Sequence, residues 1–76
     1  MKSVKINLAA AENVKDFVRI TEQFDHDIDI RSGRFVVNAK SILGIFSLDL
    51  SKPLVVEIYA DDCEELLAKL KPFIVE

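Results

Sequence analysis

The sequence predicts an α+β fold of the open-faced sandwich type, in which one sheet of four strands carries three helices on one of its faces. Four segments alternate with the two-residue period of half-buried strands, and three show helical apolar spacing, in the order βαββαβα over 76 residues. The predicted helices are all amphipathic, and each must bury its apolar stripe against another element, here the sheet. A chain of this length holds one core, so residues 1–76 are expected to form a single domain.

The first strand runs directly into the first helix. Val4, Ile6 and Leu8 alternate with Lys5 and Asn7, which is the period of a strand with one buried face. The apolar spacing then changes to that of a helix. The stripe of this helix consists of Val14, Phe17, Val18, Thr21 and Phe24.

The middle of the chain predicts a hairpin and a short second helix. Ile28 and Ile30 alternate with aspartates, and Ser32-Gly33 supplies a turn before a strand expected over residues 34–39. The apolar run of residues 41–48 follows. Ser41 stands where an N-cap would satisfy the first free N–H groups of a helix in this run.

The last two predicted elements are a strand and a helix. Pro53 precedes a strand expected over residues 54–60, and Glu64 lies three residues after Asp61. This spacing is that of a capping box, so the last helix is expected to begin beside Asp61. Pro72 ends or distorts that helix. Its predicted apolar stripe consists of Cys63, Leu66, Leu67 and Leu70.

Composition narrows the function classes. A net charge of -3 with scattered Lys and Arg disfavours nucleic acid binding, and no apolar run is long enough for a bilayer. The first residues run straight into a strand pattern, so we expect no signal peptide and a cytoplasmic location. Residues 25–29, D-H-D-I-D, resemble the opening of a calcium loop. Ile30 and Val36, however, stand where such a loop needs its glycine and its glutamate. We therefore expect no metal site and no cofactor.

Residues 38–48, with the sequence NAKSILGIFSL, resemble the regulatory-serine segment of HPr, the small phosphocarrier of the bacterial sugar phosphotransferase system. In that family an AKS-I-M-G-type run opens the short second helix. The element order and the length match the family as well. The resemblance implies the HPr-like fold, with an antiparallel sheet. It also implies protein partners, namely Enzyme I, sugar-specific components, a serine kinase or a transcription regulator.

The chain departs from the family between the first strand and the first helix. HPr proteins carry a G-L-H-A-R-P-A motif there, and its histidine is phosphorylated. Residues 8–13 are LAAAEN in this chain, which puts Ala10 at the place of the histidine and Glu12 at that of the arginine. A methyl group cannot accept a phosphoryl group, so we expect an HPr-like protein without a catalytic histidine, regulatory or protein-binding in role rather than enzymatic.

His26, the only histidine, offers one route by which carrier chemistry could survive. It follows the far end of the first helix, roughly 20 Å from Ala10 at about 1.5 Å per residue. There the negative end of the helix dipole, Asp25 and Asp27 all disfavour a phosphoryl anion. A solvated turn histidine is therefore favoured, and use of His26 as an unconventional acceptor is the alternative.

Ser41 has two compatible interpretations. It can act as a plain N-cap, or it can be the phosphorylation site that the resemblance implies, where the helix dipole would stabilise the added dianion. The second helix has more apolar residues than one buried face needs, so Ile42 and Phe46 are expected to point outward. An exposed apolar patch indicates a partner surface. The predicted partner-binding residues are Lys40, Ile42, Leu43, Phe46 and Ser47.

Other interpretations stay open from the sequence. The apolar patch could instead be a weak homodimer contact or an extension of the core. Cys63 is expected in the core, with thiol reactivity a lesser alternative. The element order would also suit a small ferredoxin-like ligand-binding regulatory module, which the third helix and residues 38–48 speak against.

Overall fold

The computed structural model describes residues 1–75 and contains a four-stranded antiparallel sheet with the order β1-β4-β2-β3. The strands are β1 (Lys2–Ile6), β2 (Asp27–Ser32), β3 (Phe35–Asn38) and β4 (Leu54–Tyr59). The helices are α1 (Ala11–Thr21), α2 (Ile42–Phe46) and α3 (Glu64–Leu70), and a 3₁₀ helix follows at Lys71–Phe73. The predicted domain of residues 1–76 includes one residue, Glu76, outside the described part.

The element order βαββαβα and the open-faced sandwich are confirmed. The strand order also separates this fold from the ferredoxin-like alternative. In a ferredoxin-like sheet the first strand is internal and the fourth lies at an edge. Here β4 is internal and β1 lies at an edge. The ferredoxin-like arrangement is therefore excluded.

The two faces of the sheet follow from the strand register. Leu54, Val56 and Ile58 of β4 are fully buried, because they face the helices. Between them, Glu57 lies opposite Asp29 of β2 on the other face, where polar residues were expected. Arg34, at which the third strand was expected to begin, does not belong to β3. It lies between β2 and β3, in the hairpin turn where Gly33 takes a left-handed φ of 60°.

The helices cover the apolar face with most of the residues that the sequence predicted, whereas Leu67 of the predicted α3 stripe is only half-buried. Phe17 of α1 is fully buried and meets the ring of Phe73 edge to face, with the ring centroids 6.4 Å apart. Phe24 is only half-buried, because α1 ends before it, at Thr21. The buried residues of α1 are Val14, Phe17, Val18 and Thr21, and those of α3 are Leu66 and Leu70.

The predicted capping box at Asp61 is wrong. Helix α3 begins at Glu64, its N-cap is Cys63, and no side chain makes a capping hydrogen bond there. Cys63 is buried in the core, as predicted, so its burial fixes the backbone just before the helix. A capping bond contributes only about 1 kcal/mol, which is less than burying an apolar side chain can contribute.

The chain after α3 returns to the edge of the sheet. Leu70 ends α3, and Pro72 lies in the 3₁₀ helix that follows, which confirms the predicted effect of this proline. Ile74 then pairs with Ile6 of β1, and the N–H of Val75 donates to the carbonyl of Lys5 at 3.0 Å. The end of the described chain therefore covers part of the β1 edge.

None of the helices within residues 1–75 combines the length and the apolar content that crossing a bilayer requires.

Candidate functional site

Ser41 directly precedes α2 and is its N-cap, as predicted. Its Oγ accepts a hydrogen bond from the N–H of Gly44 at 3.2 Å, which satisfies one of the free donors of the first turn. The backbone of Ser41 is extended while the residues that follow are helical. The residue is exposed, so solvent reaches the hydroxyl beside the start of the helix.

The residues before Ser41 are tied to the C-terminal end of α1. Lys40 is half-buried, and its Nζ donates to the carbonyl oxygen of Phe24 at 2.7 Å. Thr21 Oγ1 donates to the carbonyl of Ala39 at 3.3 Å and to that of Val18 at 3.0 Å. The Lys40 bond therefore holds the turn just beyond α1, and the Thr21 bond holds the last residue of α1, against the start of the Ser41 segment.

Helix α2 approaches β3 closely because residue 44 is glycine. A Cβ built there would lie 3.3 Å from Val37 Cβ and 3.0 Å from Ser41 Oγ. Both separations are shorter than an ordinary van der Waals contact. At the other end of the helix, Ser47 Oγ donates to the carbonyl of Gly44 at 2.5 Å. The two serines therefore bond to the two main-chain groups of one glycine.

The apolar residues of α2 divide between the core and the solvent. Ile45 is fully buried, whereas Leu43 is 81 % exposed and Phe46 is 41 % exposed. Ile42 is half-buried and packs against the core, which corrects the prediction that it points outward. At about 100° per residue, Ile42 lies about 60° from the buried Ile45, whereas Leu43 lies nearly opposite it. We call Ile42, Leu43 and Phe46 the α2 patch.

The place of the missing histidine lies at the opposite end of α1. Ala10 is the N-cap of α1, and no side chain makes a capping hydrogen bond to this end of the helix. Glu12, at the place of the family's arginine, lies in the first turn. Ala10 and Glu12 are both exposed. This end of α1 therefore presents a methyl group and a carboxylate.

His26 lies beyond the other end of α1. Its ring stacks on Phe24, with the centroids 5.9 Å apart and the planes 19° from parallel. Helix α1 has 11 residues, which is about 16 Å of helix between the two sites. The structure therefore does not bring His26 and Ala10 together.

Two exposed groups have shifted pKa values, and neither belongs to the Ser41 segment. Hydrogen bonds from the Oγ and the N–H of Ser51, at 2.5 and 3.1 Å, lower the pKa of Asp49. Partial desolvation, followed by the charges of Glu57 and Asp29, raises the pKa of Tyr59. Tyr59 lies on the sheet face without helices.

Sequence reasoning missed the supports of the Ser41 segment. The contacts of Lys40 with Phe24 and of Thr21 with Ala39 join residues 16 and 18 positions apart, and no local pattern signals such pairs. The role of Asn38 could have been found. Its Oδ1 accepts from the N–H of Lys40 at 2.8 Å, which is the Asx turn that asparagine favours before a helix.

Comparisons with known proteins agree with this geometry. The family profile described as the PTS HPr component phosphorylation site matches residues 8–76. The chain is similar to the crystal structure of HPr-C-His from Thermoanaerobacter tengcongensis, with 32 % identity and a TM-score of 0.79. That match covers 95 % of this chain and 89 % of the other.

Two further structures are similar over nearly the whole chain. The phosphocarrier protein HPr from Bacillus anthracis is 31 % identical with a TM-score of 0.72, covering 96 % of this chain and 93 % of that one. Crh of Bacillus subtilis, solved as a domain-swapped dimer, is 25 % identical with a TM-score of 0.64. This last match covers 96 % of this chain and 90 % of Crh.

Proposed function

Because this chain belongs to the HPr family of the phosphoenolpyruvate-dependent sugar phosphotransferase system, we propose that it is a regulatory or protein-binding member of that family. It works through Ser41 and the α2 patch, and it does not transfer a phosphoryl group through a histidine. Proteins of the HPr family are phosphocarriers rather than classical enzymes. One observation carries the proposal: an accessible N-cap hydroxyl at Ser41 stands beside exposed apolar side chains, whereas Ala10 stands at the start of α1.

The chemistry at Ser41 is transfer of the γ-phosphoryl group of ATP to Oγ by a serine kinase, with release of ADP. The product adds a charge of about -2 at the N-terminal end of α2. The N–H of Gly44, which now donates to Oγ, is placed to donate to a phosphate oxygen instead. Phosphorylation of Ser41 therefore adds negative charge beside the α2 patch without requiring α2 to unfold.

The α2 patch is the surface that a partner protein would cover. Leu43 is the most exposed of its side chains, and Phe46 adds an aromatic ring of the kind that interfaces favour. Lys40 and Ser47 belong to the rim, with the Lys40 ammonium on the carbonyl of Phe24 and the Ser47 hydroxyl on that of Gly44. We expect Lys40 and Ser47 to contribute to partner binding mainly by holding α2 in position.

Loss of histidine transfer rests on the chemistry of the α1 N-terminus. A phosphoryl acceptor needs a lone pair that the Ala10 side chain lacks, and the Glu12 carboxylate repels a phosphate donor. The partners we propose are the serine kinase, Enzyme I or sugar-specific components that bind without phosphoryl transfer, or a transcription regulator. A cytoplasmic location belongs to this proposal.

Incubation with a serine kinase of the phosphotransferase system and ATP tests the Ser41 proposal. Mass spectrometry should find one phosphate on Ser41 in the unaltered protein and in Ser47→Ala, and none in Ser41→Ala. Ser47→Ala is the matched control, because it removes an exposed hydroxyl from the other end of α2. A protein that stays unmodified with an active kinase contradicts the role of Ser41.

Incubation with Enzyme I and phosphoenolpyruvate tests the absence of histidine transfer. We expect no acid-labile phosphate on the protein, while an authentic HPr in the same reaction becomes labelled. Label on this chain that disappears in His26→Gln would establish His26 as an acceptor and contradict this part of the proposal. The kinase experiment is independent of this result.

The α2 patch is tested by binding. Leu43→Lys should weaken the kinase complex at least tenfold, because a charge replaces the most exposed apolar side chain of the patch. Val75→Lys places the same charge at an exposed apolar position elsewhere and should leave the affinity unchanged. Equal affinity of all three proteins would exclude Leu43 from the interface.

A further inference from the structure

Strand β3 is an unprotected edge of the sheet. It is the last strand in the order β1-β4-β2-β3, and its four residues, FVVN, include no charge and no proline. Phe35 is 67 % exposed and Val36 is 43 % exposed. Edge strands are usually blunted by lysine, proline or a bulge, because a free apolar edge pairs with other strands.

The hydrogen bonds of the hairpin show which main-chain groups of β3 remain free. The N–H of Ala39 donates to the carbonyl of Ile28 on β2 at 2.9 Å, and the register pairs Val37 with Ile30. Because antiparallel strands bond at alternate residues, positions 35, 37 and 39 face β2. The N–H and C=O groups of Val36 and Asn38 therefore point outward. The Asn38 carbonyl accepts from Ser41 at 3.0 Å.

We infer that the β3 edge binds the β3 edge of a second copy of this chain, antiparallel and centred on Val36. In that register the two Val36 residues exchange two N–H to C=O hydrogen bonds on a two-fold axis. Phe35 lies opposite the partner's Val37 on the helix-bearing face, and the two Val36 side chains meet on the other face. The product is a continuous eight-stranded sheet.

The free main-chain groups favour this register, and the lack of charge in β3 favours this occupant. With Val36 at the centre, the outward N–H and C=O groups of the two Val36 residues pair with each other. Centring on Val37 would instead pair Val36 with the partner's Asn38, whose carbonyl already accepts from Ser41. A charged peptide would find no opposite charge within β3, whereas a second β3 presents a matching uncharged strand. No strand is exchanged, unlike in a domain-swapped dimer. The inference does not depend on Ser41.

Sedimentation of the intact protein over a range of concentrations tests the pairing. The apparent mass should rise from 8.6 kDa toward twice that value as the concentration approaches the millimolar range. Val36→Lys should weaken the dimer at least tenfold by placing two ammonium groups on the axis. The matched control is Val75→Lys, which charges an exposed valine outside the proposed interface and should dimerise as the unaltered protein does.

Oxidative cross-linking tests the register. Residues opposite each other in a hydrogen-bonded pair have Cα atoms about 5.5 Å apart, a separation that a disulfide can span. Val36→Cys should therefore give a disulfide-linked dimer faster than Val75→Cys, with the buried Cys63 unreacted in both. A monomer at all concentrations overturns the inference. So does a dimer that persists in Val36→Lys, or equal cross-linking of the two cysteine variants.

Discussion

Thr21 links α1 to the segment that carries Ser41. It is the only buried polar residue among residues 1–75, and its hydroxyl donates to the carbonyls of Val18 and Ala39. The bond to Val18 lies within α1, whereas the bond to Ala39 connects α1 to the segment before Ser41. A threonine at this position therefore holds the start of the Lys40-Ser41 turn against the helix, while its methyl group packs in the core.

Thr21→Val should lower the free energy of unfolding by about 1 to 2 kcal/mol, because it keeps the shape and leaves the Ala39 carbonyl without this donor. Urea denaturation followed by circular dichroism measures the change. Ser3→Ala removes an exposed hydroxyl and should stay within about 0.5 kcal/mol of the unaltered protein. If Thr21→Val were as stable as the unaltered protein, the Thr21 hydroxyl would make no net contribution to the free energy of unfolding.

Tyr59 is the only tyrosine in a chain without tryptophan, so its titration can be followed by absorbance. Asp29→Asn removes one of the charges that raise its pKa, and the pKa should move down toward the ordinary value of 10.0. Asp61→Asn, a change at an exposed carboxylate that is not among the causes of the shift, should leave the pKa of Tyr59 where it is. An unchanged titration in Asp29→Asn would contradict the role of that charge.

The sign of the linked stability change follows from the raised pKa of Tyr59. The folded state holds the phenol proton more tightly than the unfolded state does. Its contribution to stability is therefore complete below the unfolded pKa of about 10 and is lost as the pH rises through the folded pKa. Asp29→Asn should narrow the pH interval over which this loss occurs.

At the scale of elements, α2 is a one-turn helix held by its ends. Ser41 bonds the N–H of Gly44, Ser47 bonds its carbonyl, and Ile45 anchors the helix in the core. A helix of five residues is unstable by itself, so these contacts and the packing on β3 determine its position. Gly44 is the residue that lets the backbone come close enough.

Gly44→Ala should fail to stabilise the protein, although alanine is favoured over glycine by about 1 kcal/mol within a helix. The new Cβ would meet Ser41 Oγ at 3.0 Å and Val37 Cβ at 3.3 Å, so the capping bond or the contact with β3 must give way. Loss of the cap alone offsets the gain. Thermal unfolding of Gly44→Ala and of the double variant with Ser41→Ala measures this coupling. A higher melting temperature for Gly44→Ala would contradict it.

Sequence reasoning found these elements better than it found their ends and faces. The change of apolar period at Val14 and the Ser41 cap are local signals, and both were predicted correctly. The start of α3 was wrong because burial of Cys63, a tertiary effect, outweighs the local capping pattern at Asp61. The outward face of α2 was predicted in part, since Ile42 turns toward the core once Ile45 is placed.

At the scale of the molecule, the two edges of the sheet differ. The chain after the 3₁₀ helix pairs with β1 through Ile74 and Val75, whereas no strand within residues 1–75 pairs with the outer side of β3. The strand order that creates these edges could not be derived from periodicity, which gives each strand's faces but not its neighbours. The resemblance of residues 38–48 to a known family predicted the antiparallel sheet, and the strand order itself came from the structure.

One core supports the whole molecule, and two leucines with opposite exposure test this. A domain of 76 residues has an unfolding free energy of about 4 to 11 kcal/mol. Leu66 of α3 is fully buried, so Leu66→Ala should cost about 2 to 5 kcal/mol through lost burial and the cavity left behind. Leu43→Ala makes the same change on α2, at a side chain that is 81 % exposed, and should cost no more than about 0.5 kcal/mol. Urea midpoints at an unchanged slope measure both variants, and a large loss in Leu43→Ala would mean that the α2 patch belongs to the core.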